Sequence, residues 1–94
     1  MTNQVESLAS EARQFVKLTP GTITLGRART NDVSYEDLSI SKHHAKIFTY
    51  LNVSYIEDLG SKNGTYLNGK KVAKHVVKEG DSIKIGRVEI KVVR

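Results

Sequence analysis

Apolar and polar residues alternate near the end of the chain, through Ser82-Ile83-Lys84-Ile85-Gly86-Arg87-Val88-Glu89-Ile90-Lys91-Val92-Val93. A period of two places successive side chains on opposite faces of a β-strand, so each of the two runs has one apolar face. Gly86-Arg87 interrupts the alternation, and glycine tolerates the positive φ that a tight turn requires. The segment therefore predicts two strands joined as a hairpin.

Similar short runs occur along most of the chain. β-branched and aromatic residues concentrate in residues 15–18, 22–25, 46–50 and 53–57, and Asn68-Gly69 is typical of a hairpin turn. Thr19-Pro20-Gly21 is a turn signal between the first two runs and predicts a hairpin-like start. No segment has the three-and-four spacing of an amphipathic helix. We therefore expect an all-β protein, and turn signals about every 8 to 12 residues favour a β-sandwich or a small barrel.

The chain of 94 residues has the size of one small domain. We expect residues 1–12, which are polar, to form a flexible arm and residues 13–94 to form the domain. The absence of cysteine excludes a disulfide scaffold, a thiolate metal site and a cysteine nucleophile. No apolar run approaches the roughly 18 residues of a membrane span, and the amino terminus lacks the features of a signal peptide. We therefore expect an intracellular protein, cytoplasmic or, in a eukaryotic cell, nuclear, and its net charge of +5 favours anionic partners.

Three polar, turn-rich segments lie between the predicted strands. They are Gly26-Arg27-Ala28-Arg29-Thr30-Asn31-Asp32-Val33, Leu38-Ser39-Ile40-Ser41-Lys42-His43-His44-Ala45 and Asp58-Leu59-Gly60-Ser61-Lys62-Asn63-Gly64-Thr65. Together they supply guanidinium groups, ammonium groups, small hydroxyls and glycines, which are the groups that anion recognition uses. On composition alone, solvated charges on exposed turns are the simpler interpretation.

The order and spacing of these segments change that balance, because they resemble a known family. Gly26-Arg27 is followed by Ser41-Lys42-His43-His44, then by Asp58-Leu59-Gly60-Ser61-Lys62-Asn63-Gly64-Thr65-Tyr66-Leu67-Asn68-Gly69, and then by Gly80-Asp81-Ser82-Ile83-Lys84-Ile85-Gly86. Each motif alone is common by chance, but all four in this order are specific. From about residue 13 to residue 93, the chain resembles the forkhead-associated (FHA) domain, a phosphothreonine-binding module.

The resemblance implies a fold and a phosphate site. The fold would be a sandwich of two antiparallel sheets with about eleven short strands and a ligand-binding loop face at one end. The arginine of the Gly-Arg pair and the serine of the Ser-x-x-His motif bind phosphate in the family, which here are Arg27 and Ser41. Lys42 and Lys62 would add contacts to a group that carries about −1.5 to −2 charges. Asn63 would hydrogen-bond the main chain of the ligand, since an amide both donates and accepts.

Further residues receive supporting roles from the resemblance. The loop-shaping residues would be Gly26, His44, Gly64 and Thr65, with His44 as a brace for the loop that presents Ser41. Family members often select the residue three places after the phosphothreonine. The residue in the matching position that would contact that ligand side chain here is Ser39, which is small and uncharged. Arg29 and Arg87 would be basic substitutes if they lie near Ser39.

The implied function is phosphothreonine-dependent binding of proteins or peptides, as an adaptor in Ser/Thr kinase signalling. A Ser/Thr protein kinase would act upstream, and we expect no cofactor, no metal, no membrane partner and no enzymatic activity. Ser41 and His44 are three residues apart on one loop, which makes no catalytic triad without an orienting acid and an oxyanion hole. Two alternatives stay open: binding of the nucleic-acid backbone by the basic residues between 70 and 78, and a scaffold with a degenerate site.

Overall fold

The computed structural model describes residues 14–94, so the predicted arm over residues 1–12 lies outside the described residues. Within residues 14–94 there are ten strands: β1 Gln14–Lys17, β2 Gly21–Gly26, β3 Val33–Ser34, β4 Ala45–Tyr50, β5 Val53–Asp58, β6 Thr65–Leu67, β7 Lys70–Val72, β8 Lys74–Val77, β9 Ser82–Ile85 and β10 Val88–Val93. The all-β prediction is confirmed. The described part of the chain holds no helix that is long and apolar enough to cross a membrane.

The strands form two five-stranded sheets. One has the order β1-β10-β9-β6-β7 and the other has the order β3-β2-β4-β5-β8. Most neighbours are antiparallel, but β1 runs parallel to β10 and β3 runs parallel to β2. The sandwich expected from the resemblance is present, with ten strands in the described residues instead of about eleven and with a parallel pair at one edge of each sheet.

The hairpin-like start predicted around Thr19-Pro20-Gly21 is wrong, because the strands on either side belong to different sheets. β1 pairs with β10, whereas β2 pairs with β3 and β4. The turn therefore carries the chain from one layer of the sandwich to the other. Local turn chemistry identified the reversal but not the strand that β1 pairs with, which the distant β10 decides.

The other predicted hairpins are present, and their turns have the left-handed backbone that short β-turns need. Asn68 and Gly69 have φ values of 49° and 87° between β6 and β7. Leu51 and Asn52 have φ values of 51° and 65° between β4 and β5. Positive φ at both central residues of a two-residue loop matches the right-handed twist of the flanking strands. Leucine rarely adopts this conformation, so the pairing of β4 with β5 holds it there.

The core lies between the two sheets and is filled by inward-facing aliphatic side chains. Alternate residues of the longer strands are buried, as the sequence alternation predicts. The buried apolar residues are Val16, Leu25, Ile40, Ala45, Ile47, Ile56, Leu67, Val77, Ile83, Ile85, Ile90 and Val92. Ile40 comes from a loop, so the core also fixes part of a connection between strands.

The strand register brings the polar connections together at one end of the sandwich. Leu25, Ala45 and Asp58 are neighbours across β2, β4 and β5. In the other sheet, Thr65 lies opposite Ile85. The loop face, as we call this end, consists of loops 27–32, 35–44 and 59–64 and the turn at residues 86 and 87.

The fold predicts a large difference between inward-facing and outward-facing positions. Ile56 in β5 has no exposed surface, whereas Val76 in β8 is 41% exposed. We expect Ile56→Ala to lower the free energy of unfolding by about 2–5 kcal/mol, because it removes buried methyl groups and leaves a cavity. Val76→Ala, the control, should lower it by about 0.5 kcal/mol or less. Urea unfolding checks both values, and equal losses would contradict the assigned core.

Candidate phosphate-binding site

The guanidinium of Arg27 is fixed on its inner side and open on its outer side. Its Nε donates a hydrogen bond to the carbonyl oxygen of Ile40 at 3.0 Å, and its backbone N–H donates to the carbonyl oxygen of Ser41 at 2.9 Å. The side chain is half-buried, and no carboxylate among residues 14–94 forms an ion pair with it. The terminal nitrogens are therefore available as a fork for an anion.

The hydroxyl of Ser41 has a proton to give. Its Oγ accepts a hydrogen bond from the backbone N–H of Lys62 at 2.9 Å. A serine hydroxyl that accepts one bond still holds its own O–H donor, which can turn towards an incoming oxygen. The same bond joins loop 35–44 to loop 59–64. Lys42 and Lys62 are exposed, one beside the serine and one at the donor of this bond.

His44 is fully buried and uses both ring nitrogens. The backbone N–H of Ser41 lies 3.0 Å from Nδ1, and a backbone amide can only donate, so Nδ1 accepts. The proton is then on Nε2, which donates to the carbonyl oxygen of Gly64 at 2.8 Å. This neutral imidazole joins the loop that carries Ser41 to the loop that carries Asn63 and Gly64. It has no free nitrogen for a substrate or a metal.

The carboxylate of Asp58, the last residue of β5, holds the conformation of loop 59–64. Asp58 accepts hydrogen bonds from the backbone N–H groups of Gly60 and Ser61 and from the hydroxyls of Ser61 and Thr65. Burial raises the pKa of Asp58, but these hydrogen bonds to the ionised form outweigh burial and hold the pKa below its usual value. The hydroxyl of Ser61 in turn accepts from the N–H of Gly64 at 2.9 Å. The loop is thus closed around one negative charge.

The side-chain amide of Asn63 is hydrogen-bonded through its nitrogen within the described residues. Its Nδ2 donates to the carbonyl oxygen of Ser39 at 2.9 Å, which fixes the direction of the amide. An amide oxygen can accept two hydrogen bonds, so Oδ1 remains able to accept from the backbone of a bound chain. Asn63 is exposed.

Two glycines of the loop face are required by close packing. A Cβ on Gly26 would overlap the carbonyl oxygen of Lys42 and lie 2.8 Å from Nδ2 of Asn31. A Cβ on Gly86 would overlap the hydroxyl of Ser39. Gly64 has a φ of 88°, a conformation that favours glycine. These contacts explain why glycine occupies the last position of β2 and the first position after β9.

Asn31 is a supporting residue that the sequence analysis missed. It is 9% exposed, and its Nδ2 donates to the carbonyl oxygens of both Ala28 and Lys42 at 2.7 Å. It therefore ties loop 27–32 to loop 35–44 directly behind the phosphate-site candidates. An asparagine in a turn-rich segment looks solvated in sequence, and only the burial of this residue reveals its role.

The three candidates for ligand specificity lie in different settings. Ser39 donates its hydroxyl proton to Asp37 at 2.6 Å and accepts from the N–H of Arg87 at 3.0 Å. Arg87 lies 3.3 Å from Asp37 and is 76% exposed. Hydrogen bonds from Ser39, with the charge of Arg87 adding to them, hold the pKa of Asp37 below its usual value. Arg29 instead pairs with Glu36 at 3.4 Å, so only Arg87 is brought to Ser39.

The basic residues between 70 and 78 are divided between the two sheets and a turn. Lys71 is on β7 in one sheet, whereas Lys74 is on β8 in the other sheet and lies 5.5 Å from the centre of the Tyr55 ring. Lys78 follows β8 in the turn at the end of the sandwich opposite the loop face. Residues 14–94 also contain no group of three or more histidine, aspartate or glutamate side chains that could hold a metal ion.

The low pKa of Asp58 predicts a pH-dependent contribution to stability. Because folding lowers this pKa, the ionised carboxylate stabilises the fold at neutral pH, and the contribution is lost as the pH falls below about 4. We expect Asp58→Asn to lower the free energy of unfolding by about 1–3 kcal/mol at pH 7 and by much less at pH 3. Urea unfolding at both values measures this. Glu79→Gln, which removes an exposed charge from a turn, is the control, and an equal loss from Asp58→Asn at both pH values would contradict the assignment.

Two curated proteins are similar to this chain in sequence. The ABC transporter ATP-binding/permease protein Rv1747 of Mycobacterium tuberculosis is 34% identical over 74 residues, which are 79% of this chain and 9% of that protein. The glycogen accumulation regulator GarA of Mycobacterium tuberculosis is 34% identical over 65 residues, 69% of this chain and 40% of its own length. The chain thus spans less than half of either relative.

A solved structure and a family model identify the fold. The domain solved in a structural and functional study of phosphothreonine-dependent FHA domain interactions superposes with a TM-score of 0.73 at 30% identity, over 77% of this chain and 75% of that chain. The model of the FHA domain family matches residues 23–86, which include all three loops, β3 to β9 and most of β2. The chain therefore belongs to the FHA domain family.

Proposed function

We propose that this domain binds threonine-phosphorylated proteins or peptides and that the loop face receives the phosphothreonine. The observation that carries the proposal is the tether on Arg27, whose Nε is held by Ile40 while its terminal nitrogens stay unpaired within the described residues. A guanidinium anchored in this way is already oriented for two parallel hydrogen bonds to phosphate oxygens. The hydroxyl of Ser41 supplies a third donor beside it.

The charge around the site suits a phosphate dianion. Arg27, Lys42 and Lys62 bring three positive charges towards a group of about −1.5 to −2. Three carboxylates in or beside the loops of the site are already engaged: Asp32 by Thr24, Asp37 by Ser39 and Arg87, and Asp58 by its own loop. The two lysines are exposed and carry their charge on long flexible side chains, so their share of the binding energy is smaller than that of the anchored arginine.

Asn63 would hold the main chain of the ligand beside the phosphorylated residue. Its Oδ1 accepts from a ligand N–H while its Nδ2 stays on Ser39. The bound chain then gains a fixed direction across the loop face without a change in the loop. The GarA and Rv1747 relatives carry the same domain as part of longer proteins, so this domain would serve as the recognition element of an adaptor in Ser/Thr kinase signalling.

The proposed activity is binding, with the phosphate ester left intact. Both nitrogens of the buried His44 are used within the protein, so this histidine cannot act as a base for Ser41. A protein kinase uses ATP and therefore acts inside the cell, where this domain would meet its ligand. Nucleic-acid binding has less support, because the basic residues between 70 and 78 are divided between two sheets and a turn.

A peptide-binding experiment tests the proposed function. A degenerate phosphothreonine library should bind more strongly than matched phosphoserine and unphosphorylated libraries at near-physiological salt. Arg27→Ala should weaken the binding of a selected peptide by about 2–5 kcal/mol, because it removes the charged partner of a desolvated phosphate. Arg94→Ala removes an exposed arginine outside the loop face and is the matched control. Equal binding of all libraries, or unchanged binding by Arg27→Ala, would refute the proposal.

The hydroxyl of Ser41 gives a second, smaller effect. Ser41→Ala removes one donor to the phosphate and also the acceptor for the N–H of Lys62. A hydrogen bond to a charged group contributes about 1.5–3 kcal/mol, so we expect affinity to fall by roughly 10- to 150-fold. Isothermal titration with the same peptide measures the loss. Ser41→Thr, which keeps the hydroxyl, should bind more tightly than Ser41→Ala, and an identical loss for both would contradict the assigned donor role.

A further inference from the structure

A row of three side chains crosses the outer face of the sheet next to the loop face. Tyr66 in β6 lies opposite Lys71 of β7 on one side and opposite Lys84 of β9 on the other. Directly opposed side chains on adjacent strands point to the same face of a sheet. Their inward neighbours Thr65, Leu67, Ile83 and Ile85 are buried, so Lys71, Tyr66 and Lys84 point to solvent. We call these three residues the basic row.

The basic row is continuous with the loop face. A Cβ placed on Gly64 would lie 3.0 Å from Cε of Lys71 and 3.3 Å from Cε1 of Tyr66, so both side chains pack against this glycine. Gly64 directly follows Asn63, the residue proposed to hold the ligand's main chain. A chain that leaves Asn63 on this side therefore meets the basic row next.

A groove connects the two features. It has a volume of about 430 Å³ and is lined by Asn63, Tyr66, Lys84, Gly86 and Glu89, with Gly69 and Ser82 at its margin. Gly86 belongs to the turn of the loop face, and Lys84 lies two residues before it. The groove therefore runs from Asn63, the residue proposed to hold the ligand's main chain, along Tyr66 and Lys84 of the basic row.

Neither lysine of the basic row is neutralised within the described residues. The ion pairs there join Arg29 to Glu36, Lys46 to Glu57 and Arg87 to Asp37. Glu89 lies directly opposite Lys84 on the neighbouring strand. It accepts a hydrogen bond from the hydroxyl of Ser82 at 3.1 Å and makes no ion pair with the lysine. Two unpaired ammonium groups on either side of a tyrosine ring attract an anion.

We propose that the basic row reads a second anionic group in the ligand, a carboxylate or a second phosphate, on the side of the phosphothreonine that Asn63 holds. This inference rests on the proposed function. Tyr66 is two residues from Gly64, and neighbouring strands are about 4.8 Å apart, so an extended ligand at about 3.3 Å per residue reaches the row within roughly two to five residues. The ring of Tyr66 provides the surface over which the ligand chain passes.

The test uses a phosphothreonine peptide whose other side chains are uncharged, which we call the neutral peptide, and a set of derivatives of it. Glutamate replaces each flanking residue in turn, up to five positions on either side, and a parallel set carries a second phosphothreonine instead. We expect affinity to rise about two- to tenfold at one or two adjacent positions, which is what exposed charge pairs contribute. The second phosphate should give the larger gain because it carries more charge.

Paired variants identify the residues that read the anion. Lys71→Gln with Lys84→Gln should abolish the gain while leaving the affinity for the neutral peptide unchanged. Lys74→Gln with Lys78→Gln makes the same change in net charge away from the row and should keep the gain. All four lysines are exposed, so circular dichroism should give one melting temperature for both double variants and the wild type.

The outcomes separate this inference from the proposed function. If the neutral phosphothreonine peptide does not bind, or if its binding survives Arg27→Ala, the proposed function fails and the reading by the basic row fails with it. If that peptide binds but no anionic position adds affinity, the basic row alone is overturned. A gain that survives the loss of Lys71 and Lys84, or that the control pair also abolishes, overturns it as well.

Discussion

The loop face depends on the imidazole of His44. This ring is fully buried between two loops and satisfies the N–H of Ser41 with one nitrogen and the carbonyl oxygen of Gly64 with the other. Without it, the buried carbonyl of Gly64 and the part-buried N–H of Ser41 would lose their partners, at up to about 1–3 kcal/mol each. The bond to Ser41 fixes the backbone that carries the hydroxyl, and the bond to Gly64 fixes the backbone next to Asn63. One neutral side chain thereby sets the distance between the proposed phosphate contact and the proposed main-chain contact.

Other polar contacts make the same face rigid before any ligand arrives. Asn31 joins loops 27–32 and 35–44, and Asp58 gathers four donors from loop 59–64 and the start of β6. Ordering a free residue costs about 1–2 kcal/mol, so a site assembled from free loops would lose most of the energy of binding a phosphate. Here that cost is met on folding, which leaves more of the interaction energy for affinity.

The sequence predicted the strands, and the three polar loops that meet at one end of the sandwich, better than it predicted which strands pair. Period-two alternation identified the strands. Asn68-Gly69 predicted a tight turn, and both residues have the positive φ that such a turn requires. The partner of β1 could not be predicted, because its pairing with β10 joins segments more than seventy residues apart and leaves no local signal. Asn31 was missed for a related reason. It matters through a contact across two loops, and its own neighbours in sequence resemble any solvated turn.

Two kinds of positive charge lie on this surface, and their physical difference suggests different tasks. Arg27 is tethered by Nε and half-buried, so little entropy is lost when its fork meets a phosphate, and the direction of its hydrogen bonds is fixed. Lys71 and Lys84 are exposed ammonium groups on flexible stems, which pay entropy on contact and are screened by salt. A fixed arginine can therefore make the phosphate obligatory, while the lysines can only rank ligands that already carry it. A domain built in this way rejects unphosphorylated chains strongly and separates phosphorylated ones by small factors. The second step would also be the more sensitive of the two to ionic strength, since its charges are the more exposed.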